Sequence, residues 1–525
     1  MASRVTAEPE VQRSPPPPAS SGLKFHHKAI ILGTVIFIVL CVLGFVYIRI
    51  LPFSEQAILR ELAEASDSQV TASGYHRTHF PSPGCVLEHV EFHKGPNDFR
   101  LVSIDKLVIK GTYLGLLRHH VHHINAVHAH IFIPPFGTNL AFRTQHSNIV
   151  VEELIANGAQ VEFLPEKPGS KPVLFDVHES LLSNVRWNKP LQYRLKFSNP
   201  EPPGEISVAG DFGVWTQGHP QDTPISGSYT FEKADLAVYG GIAGHLSSQG
   251  HFDGLLGHVN VAGETDTPDF EVTSGGHKVD LQTKFEGYVD GIHGDTYLSR
   301  IDAHFKRTSV QAFGSVAHVQ GQKGKLTKFK LTVNRGRIED ILGLFVSAPR
   351  SPMSGAASLT STAQFPSGEE PFLQRLRMDG HFGIGNGSFT NEDTQTDVEK
   401  LSAGARGQNK EDPETVMTDL TGTVTLTGGV AEFSKLSFGV PGAKAWLHGT
   451  YNLINERVDL HGNMRVDTQI SKTTTGAKAL LLKFMEPFFK KKKKGEIVPV
   501  HILGTYDKPQ FGLDLTQGSN SKPNK

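Results

Sequence analysis

One uncharged apolar run of twenty residues, Ala29–Ile48, stands near the start of a chain that otherwise reads as Gly-punctuated β-structure. At roughly 1.5 Å per helical residue such a run matches a hydrocarbon core about 30 Å thick. It leaves through Tyr47, Ile48 and Arg49 with no small-residue exit of the A-x-A kind, so it reads as an uncleaved signal anchor and not as a removable leader. Lys24 and Lys28 flank it on one side, and Arg49 precedes Glu55, Glu61 and Glu64 on the other. The positive-inside bias therefore keeps the Pro-rich residues 1–23 in the cytoplasm and exports everything after the anchor, residues 24–50.

The exported part is about 475 residues long, enough for several domains or one very elongated one. Net charge is −1, so no global field recruits nucleic acid, and no basic patch with interleaved aromatics supports that partner. Cys41 lies inside the apolar run and Cys85 stands alone beyond it, which leaves sheet pairing and apolar burial to supply stability. With 53 Gly and 31 Pro in 525 residues and no collagen period, the composition points to many strands joined by tight turns.

Along the chain the spacing predicts a helix over Ser54–Ser66, where Ile58, Leu59 and Leu62 share a face. From Tyr75 the period becomes two, with clear strands at Ala129–Ile133, Ala159–Leu164, Ile206–Ala209, His258–Ala262, Lys328–Val333 and Arg457–Val466. In the last, Val458, Leu460, Gly462, Met464 and Val466 alternate with Asp459, His461, Asn463 and Arg465, so one face is dry and the other wet. Glycines are read as strand ends and turns of successive hairpins. About thirty strands at roughly 4.8 Å spacing would make an antiparallel sheet some 140 Å long, a rod or trough with two short helical interruptions, at Arg337–Phe345 and Lys478–Phe489.

Three stretches carry a resemblance to a known family: FPSPGCVLEHVEF (Phe80–Phe92), LVSIDKLVIKGTYLGLLRHHVHHINAVHAHIFIP, and a C-terminal block of about 100 residues that ends in VPVHILGTYDKPQFGLDL, Val498–Leu515. In this order they resemble the AsmA-like family of bacterial envelope proteins. The resemblance implies a single-pass protein of the bacterial inner membrane, its bulk in the periplasm, whose β-sheet curls into a groove with an apolar lining. It implies a role in phospholipid movement between membranes or in outer-membrane assembly. The expected organisation is a cytoplasmic tail (1–23), the anchor (24–50), an N-terminal AsmA-like module (51–190), a central sheet module (191–350), a C-terminal AsmA-like module (351–515) and a tail (516–525).

The candidate groove lining is Leu447, Val458, Leu460, Met464 and Val466. Periodicity by itself favours a face packed against another sheet or curled shut into its own core; the resemblance implies the open groove. A second candidate surface joins Phe484, Phe488 and Phe489 to Lys490, Lys491, Lys492, Lys493 and Lys494, an amphipathic end suited to anionic headgroups. Six histidines crowd 119–130, but no acid or Cys accompanies them within the segment, so no metal is expected. No G-x-S-x-G, H-E-x-x-H, P-loop or C-x-x-C occurs, and neither an enzyme nor a cofactor is expected. Two functions remain: a carrier that shields phospholipid acyl chains for envelope lipid homeostasis, and a scaffold that binds outer-membrane or other envelope proteins by strand addition.

Overall fold

The computed structural model describes residues 36–43 and most of 54–513; residues 1–35, 44–53, 136–147, 166–171, 390–417, 467–494, 514–525 and a few shorter gaps lie outside the described set. Among the described residues, 26 strands form one sheet. The first third contains β1 (Gln69–Thr71), β2 (Gly74–Thr78), β3 (Gly84–Lys94), β4 (Phe99–Gly111), β5 (His120–Ile133), β6 (Val150–Ile155), β7 (Ala159–Phe163) and β8 (Val173–Arg186). Next come β9 (Leu191–Pro200), β10 (Pro203–Phe212), β11 (Pro224–Asp235), β12 (Ile242–Ala243), β13 (His245–Leu255), β14 (His258–Val272), β15 (Val279–Val289), β16 (Thr296–Phe305), β17 (Thr308–His318) and β18 (Lys325–Arg337). The remainder are β19 (Met353–Pro366), β20 (Arg377–Phe389), β21 (Thr418–Thr427), β22 (Val430–Val440), β23 (Ala443–Asn452), β24 (Arg457–Val466), β25 (Ile497–Thr505) and β26 (Lys508–Leu513). Among the described residues the sheet is accompanied by three short α-helices, α1 (Glu55–Ser66), α2 (Ile338–Leu342) and α3 (Phe372–Arg375), and by two 3-10 turns at Pro220–Asp222 and Leu236–Tyr239.

The expected mainly-β architecture with few helices is present. Residues 36–43 of the apolar run are helical and exposed. Among the described residues no helix is long and apolar enough to cross a membrane. The expected helix over Lys478–Phe489 lies outside the described residues. At Arg337–Phe345 the helix is shorter than expected, ending at Leu342.

The sheet departs from a pure antiparallel hairpin series at one place. β5 pairs in parallel with β6 and then with β7, two collinear segments that both pair antiparallel with β8. Parallel neighbours need a crossover in place of a tight turn. Beyond β8 pairing is antiparallel throughout, and hydrogen bonding runs without a break through β18, β19 and β20.

The N-terminal end is closed. Cys85, Leu87 and Val90 of β3 are completely buried, and Ile58, Leu59 and Leu62 of α1 pack onto the cluster they form with β4, β5 and β8. Ser54 caps α1 by accepting from the Ala57 N–H, and Asp67 ends it in the left-handed conformation.

Candidate functional site

From β9 to β25 the residues that face one side can be followed by direct cross-strand partners. The row reads Leu195, Val208, Tyr229, Gly250, Gly263, Phe285, Ile301, Ala312, Leu331, Ser361, Gly380, Val424, Phe433, Gly449, Leu460, Ile502. It crosses sixteen strands with no charged residue, a contour of roughly 70 Å at about 4.8 Å per step. The row one residue away faces the other side and is polar or charged: Lys196, Ser207, Thr230, Gln249, Glu264, Lys284, Asp302, Gln311, Thr332, Thr360 and His381 run from β9 to β20. A slip of one residue anywhere would exchange the two faces, so this register is strongly specified.

Glycine builds the apolar face. Gly227 stands opposite Phe252, Gly250 opposite Tyr229, Gly263 opposite Phe285, Gly314 opposite Phe329 and Gly422 opposite Phe382. A methyl group on Gly227 would come within 2.9 Å of the Phe252 ring, and one on Gly314 within 2.6 Å of Phe329. Each ring thus lies over a bare backbone, which keeps the face shallow and continuous. This corrects the expectation that glycines mark strand ends and turns: these five sit inside strands, where no side chain fits under the neighbouring ring.

The sheet coils with that face inward. Seven inter-strand steps separate β11 from β19, about 34 Å along a flat sheet. Yet Arg375 at the end of α3, after β19, donates from Nη2 to the carbonyl of Tyr239, after β11, at 2.7 Å. The same guanidinium donates to Glu370 O at 2.6 Å and Pro366 O at 2.9 Å and lies 5.1 Å over the Phe365 ring. Leu373 of α3 packs with Val424, Leu426 and Ala431 of the apolar face, and Phe345, following α2, joins the same cluster. The His277 N–H bonds Gly343 O, tying the β14–β15 connection to the segment after α2. These connections therefore bridge the inward face over part of its length.

The five candidate lining residues share this face. Leu447 pairs with Gly462, and Val458, Leu460, Met464 and Val466 occupy alternate positions of β24 on the same side. Leu447 and Met464 are buried, while Val458 and Leu460 are half-buried. Phe484, Phe488, Phe489 and Lys490 to Lys494 lie outside the described residues.

A twisted sheet is saddle-shaped, so its polar face is hollowed as well. Across β11 to β18 a hollow of about 1060 Å³ is lined by Glu264, Asp266, Lys284, Asp302, His304 and Arg335 among others. Its groups satisfy one another: Gln249 donates to Glu264 at 2.7 Å, and Gln311 to Asp302 at 3.4 Å.

The histidine-rich segment lies on β5, and its acid partners come from neighbouring strands that the local sequence does not reveal. His122 meets Glu152 of β6 at 2.6 Å, His123 meets Glu153 at 3.6 Å, and His130 meets Glu162 of β7 at 2.9 Å. The His122 hydrogen bond holds the Glu152 carboxyl below its usual range. These pairs lie along the parallel seam. Among the described residues no group of three or more His, Cys, Asp or Glu is placed to hold a metal ion.

Comparison with protein families, with curated proteins and with solved structures finds no match.

Proposed function

We propose that this chain is a membrane-anchored lipid-transfer protein of the bacterial envelope: the apolar run holds it in the inner membrane, and the periplasmic sheet shields phospholipid acyl chains along its inward face. The observation that carries this reading is the uncharged row of sixteen cross-strand neighbours from Leu195 to Ile502. A lipid leaving a bilayer exposes acyl chain at a cost of about 0.8 kcal/mol per CH₂. An uncharged apolar face offsets that cost along its open length, and no bond need be made or broken. The rings laid over glycines suit this, because they give a smooth seat without lateral ridges. Homeostasis of outer-membrane lipid is the process such a carrier serves.

The test is lipid analysis of the chain purified gently from membranes with no lipid added. Stoichiometric phospholipid, lost in a folded variant carrying Leu460→Asp and Met464→Asp, supports the carrier. A folded, lipid-free protein favours the scaffold reading, in which exposed strand edges bind envelope proteins.

A further inference from the structure

The uncharged row is covered over part of its length. Val424 of β21 and Phe433 of β22 are members of that row, and both belong to the cluster that Leu373 and Leu376 form at α3. An acyl chain following the row from Phe285 to Leu460 therefore meets α3 on the way. The helix has only four residues, and one side chain ties it across the face: Arg375 donates to the Tyr239 carbonyl in a strap, residues 236–244, that joins β11 to β13. The backbone of the strap lies directly on α3, since a methyl on Gly241 would come within 2.3 Å of the Phe372 Cβ. Two observations bear on how this contact parts. Arg375 is 8% exposed, and among the described residues no carboxylate pairs with it; the carbonyls of Glu370, Pro366 and Tyr239 hold its charge. A buried cation without a counter-charge is costly, and water solvates it again when the contact opens. The strap, for its part, bends at Gly240, Gly241 and Gly244, with φ of 62°, 90° and 133°, and leaves Val238 and Tyr239 exposed at its tip. Glycines there supply the backbone freedom of a hinge.

We propose that α3 is a gate on the acyl-chain path, latched shut by Arg375 on the strap and opened when a lipid chain takes the place of Leu373 on Val424; the inference rests on the carrier reading. Displacement exchanges one aliphatic surface for another on the same seat, so the burial contribution nearly cancels. What remains is the latch, one hydrogen bond to the Tyr239 carbonyl set against the hydration that the unpaired guanidinium regains. A purely structural plug is better held by an aliphatic side chain than by a buried cation with no counter-charge. With α3 seated, the inner face is divided into a segment before β21 and a segment after β22, and passage between them requires the latch to open.

Locking the gate tests it. The full chain, carrying Cys41→Ser with Tyr239→Cys and Gln374→Cys, is reconstituted into vesicles that contain a photoactivatable phosphatidylethanolamine, and a reducible bis-maleimide joins the two introduced thiols, both at exposed positions. Lipid adducts are then mapped by mass spectrometry. Before locking, adducts are expected on β15, around Phe285, and on β24, around Leu460. Locking should leave the β15 adducts unchanged and lower those on β24 by about fivefold or more, and reduction of the crosslinker should restore them. Without any crosslinker, Arg375→Gln should raise the rate of β24 labelling by about threefold or more at unchanged β15 labelling, with folding verified by circular dichroism. Labelling of β24 that persists after locking, or a folded Arg375→Gln variant that labels β24 no faster, overturns the gate and leaves the carrier reading standing. Adducts on neither strand before locking overturn the carrier reading and the gate with it.

Discussion

At the scale of single residues, three side chains give direct checks. Cys85 is completely buried with the core of β3 around it, and that burial pushes its thiol up to about 12. A native-state thiol titration should therefore leave Cys85 unreacted until denaturant is added. Ser361 is the only serine of the uncharged row, 2% exposed, and among the described residues its Oγ has no hydrogen-bond partner. Ser361→Ala should leave stability unchanged or raise it by up to about 1 kcal/mol in denaturant unfolding, because it removes a desolvated hydroxyl. Asp269 accepts the backbone N–H and the imidazole of His245, at 2.7 and 2.9 Å, which together hold its carboxyl below the usual range. A depressed folded-state value means that its contribution is present above about pH 4, the ordinary carboxylate value, and lost as pH falls through the folded one. Asp269→Asn should flatten that part of the acid limb of the stability profile. The aspartate was readable as a residue type, but its partner twenty-four positions away was not.

Among the elements, α1 and the strand β24 were legible because each carries a strong local period: Ile58, Leu59 and Leu62 at helical spacing, and the alternation from Val458 to Val466. The bridging helix α3 was not. It has four residues and its stabilising contacts are long-range, with Arg375 reaching Tyr239 across 136 positions. Arg375→Ala leaves three carbonyls without their donor and should cost at least about 2 kcal/mol, with hydrogen exchange rising in both the 236–244 and 370–376 segments. Exchange rising in the second segment alone would mean that the two are not joined. The parallel seam at β5 was also hidden, since nothing in the β5 sequence says that Glu152 and Glu162 will lie beside His122 and His130. Mid-strand glycines were misread for the same reason: the ring that covers each belongs to another strand. Gly250→Ala would bring a methyl within 2.3 Å of the Ala262 carbonyl. It should lower stability by about 1–3 kcal/mol, the usual range for overpacking.

For the molecule as a whole, the alternation visible in each strand becomes meaningful only through register. Sixteen separate two-residue periods align into one uncharged row because every hairpin keeps the same parity, and the β-bulges at β16 and β22 restore it where it would be lost. The alternation on β24 marks Leu460 and its neighbours as one dry face. It did not show that they continue strand by strand back to Leu195. The coil of the sheet, read from the contact between Arg375 and Tyr239, then makes this face the inner one. The most direct test of the carrier reading is site-specific photo-crosslinking in the living cell, with a benzophenone side chain placed at Phe285 or Leu460 on the inner face and at Phe313, which is 52% exposed on the outer face. The account predicts phospholipid adducts from both inner positions and none from Phe313. Adducts from all three alike, or only protein adducts from the inner positions, would contradict it.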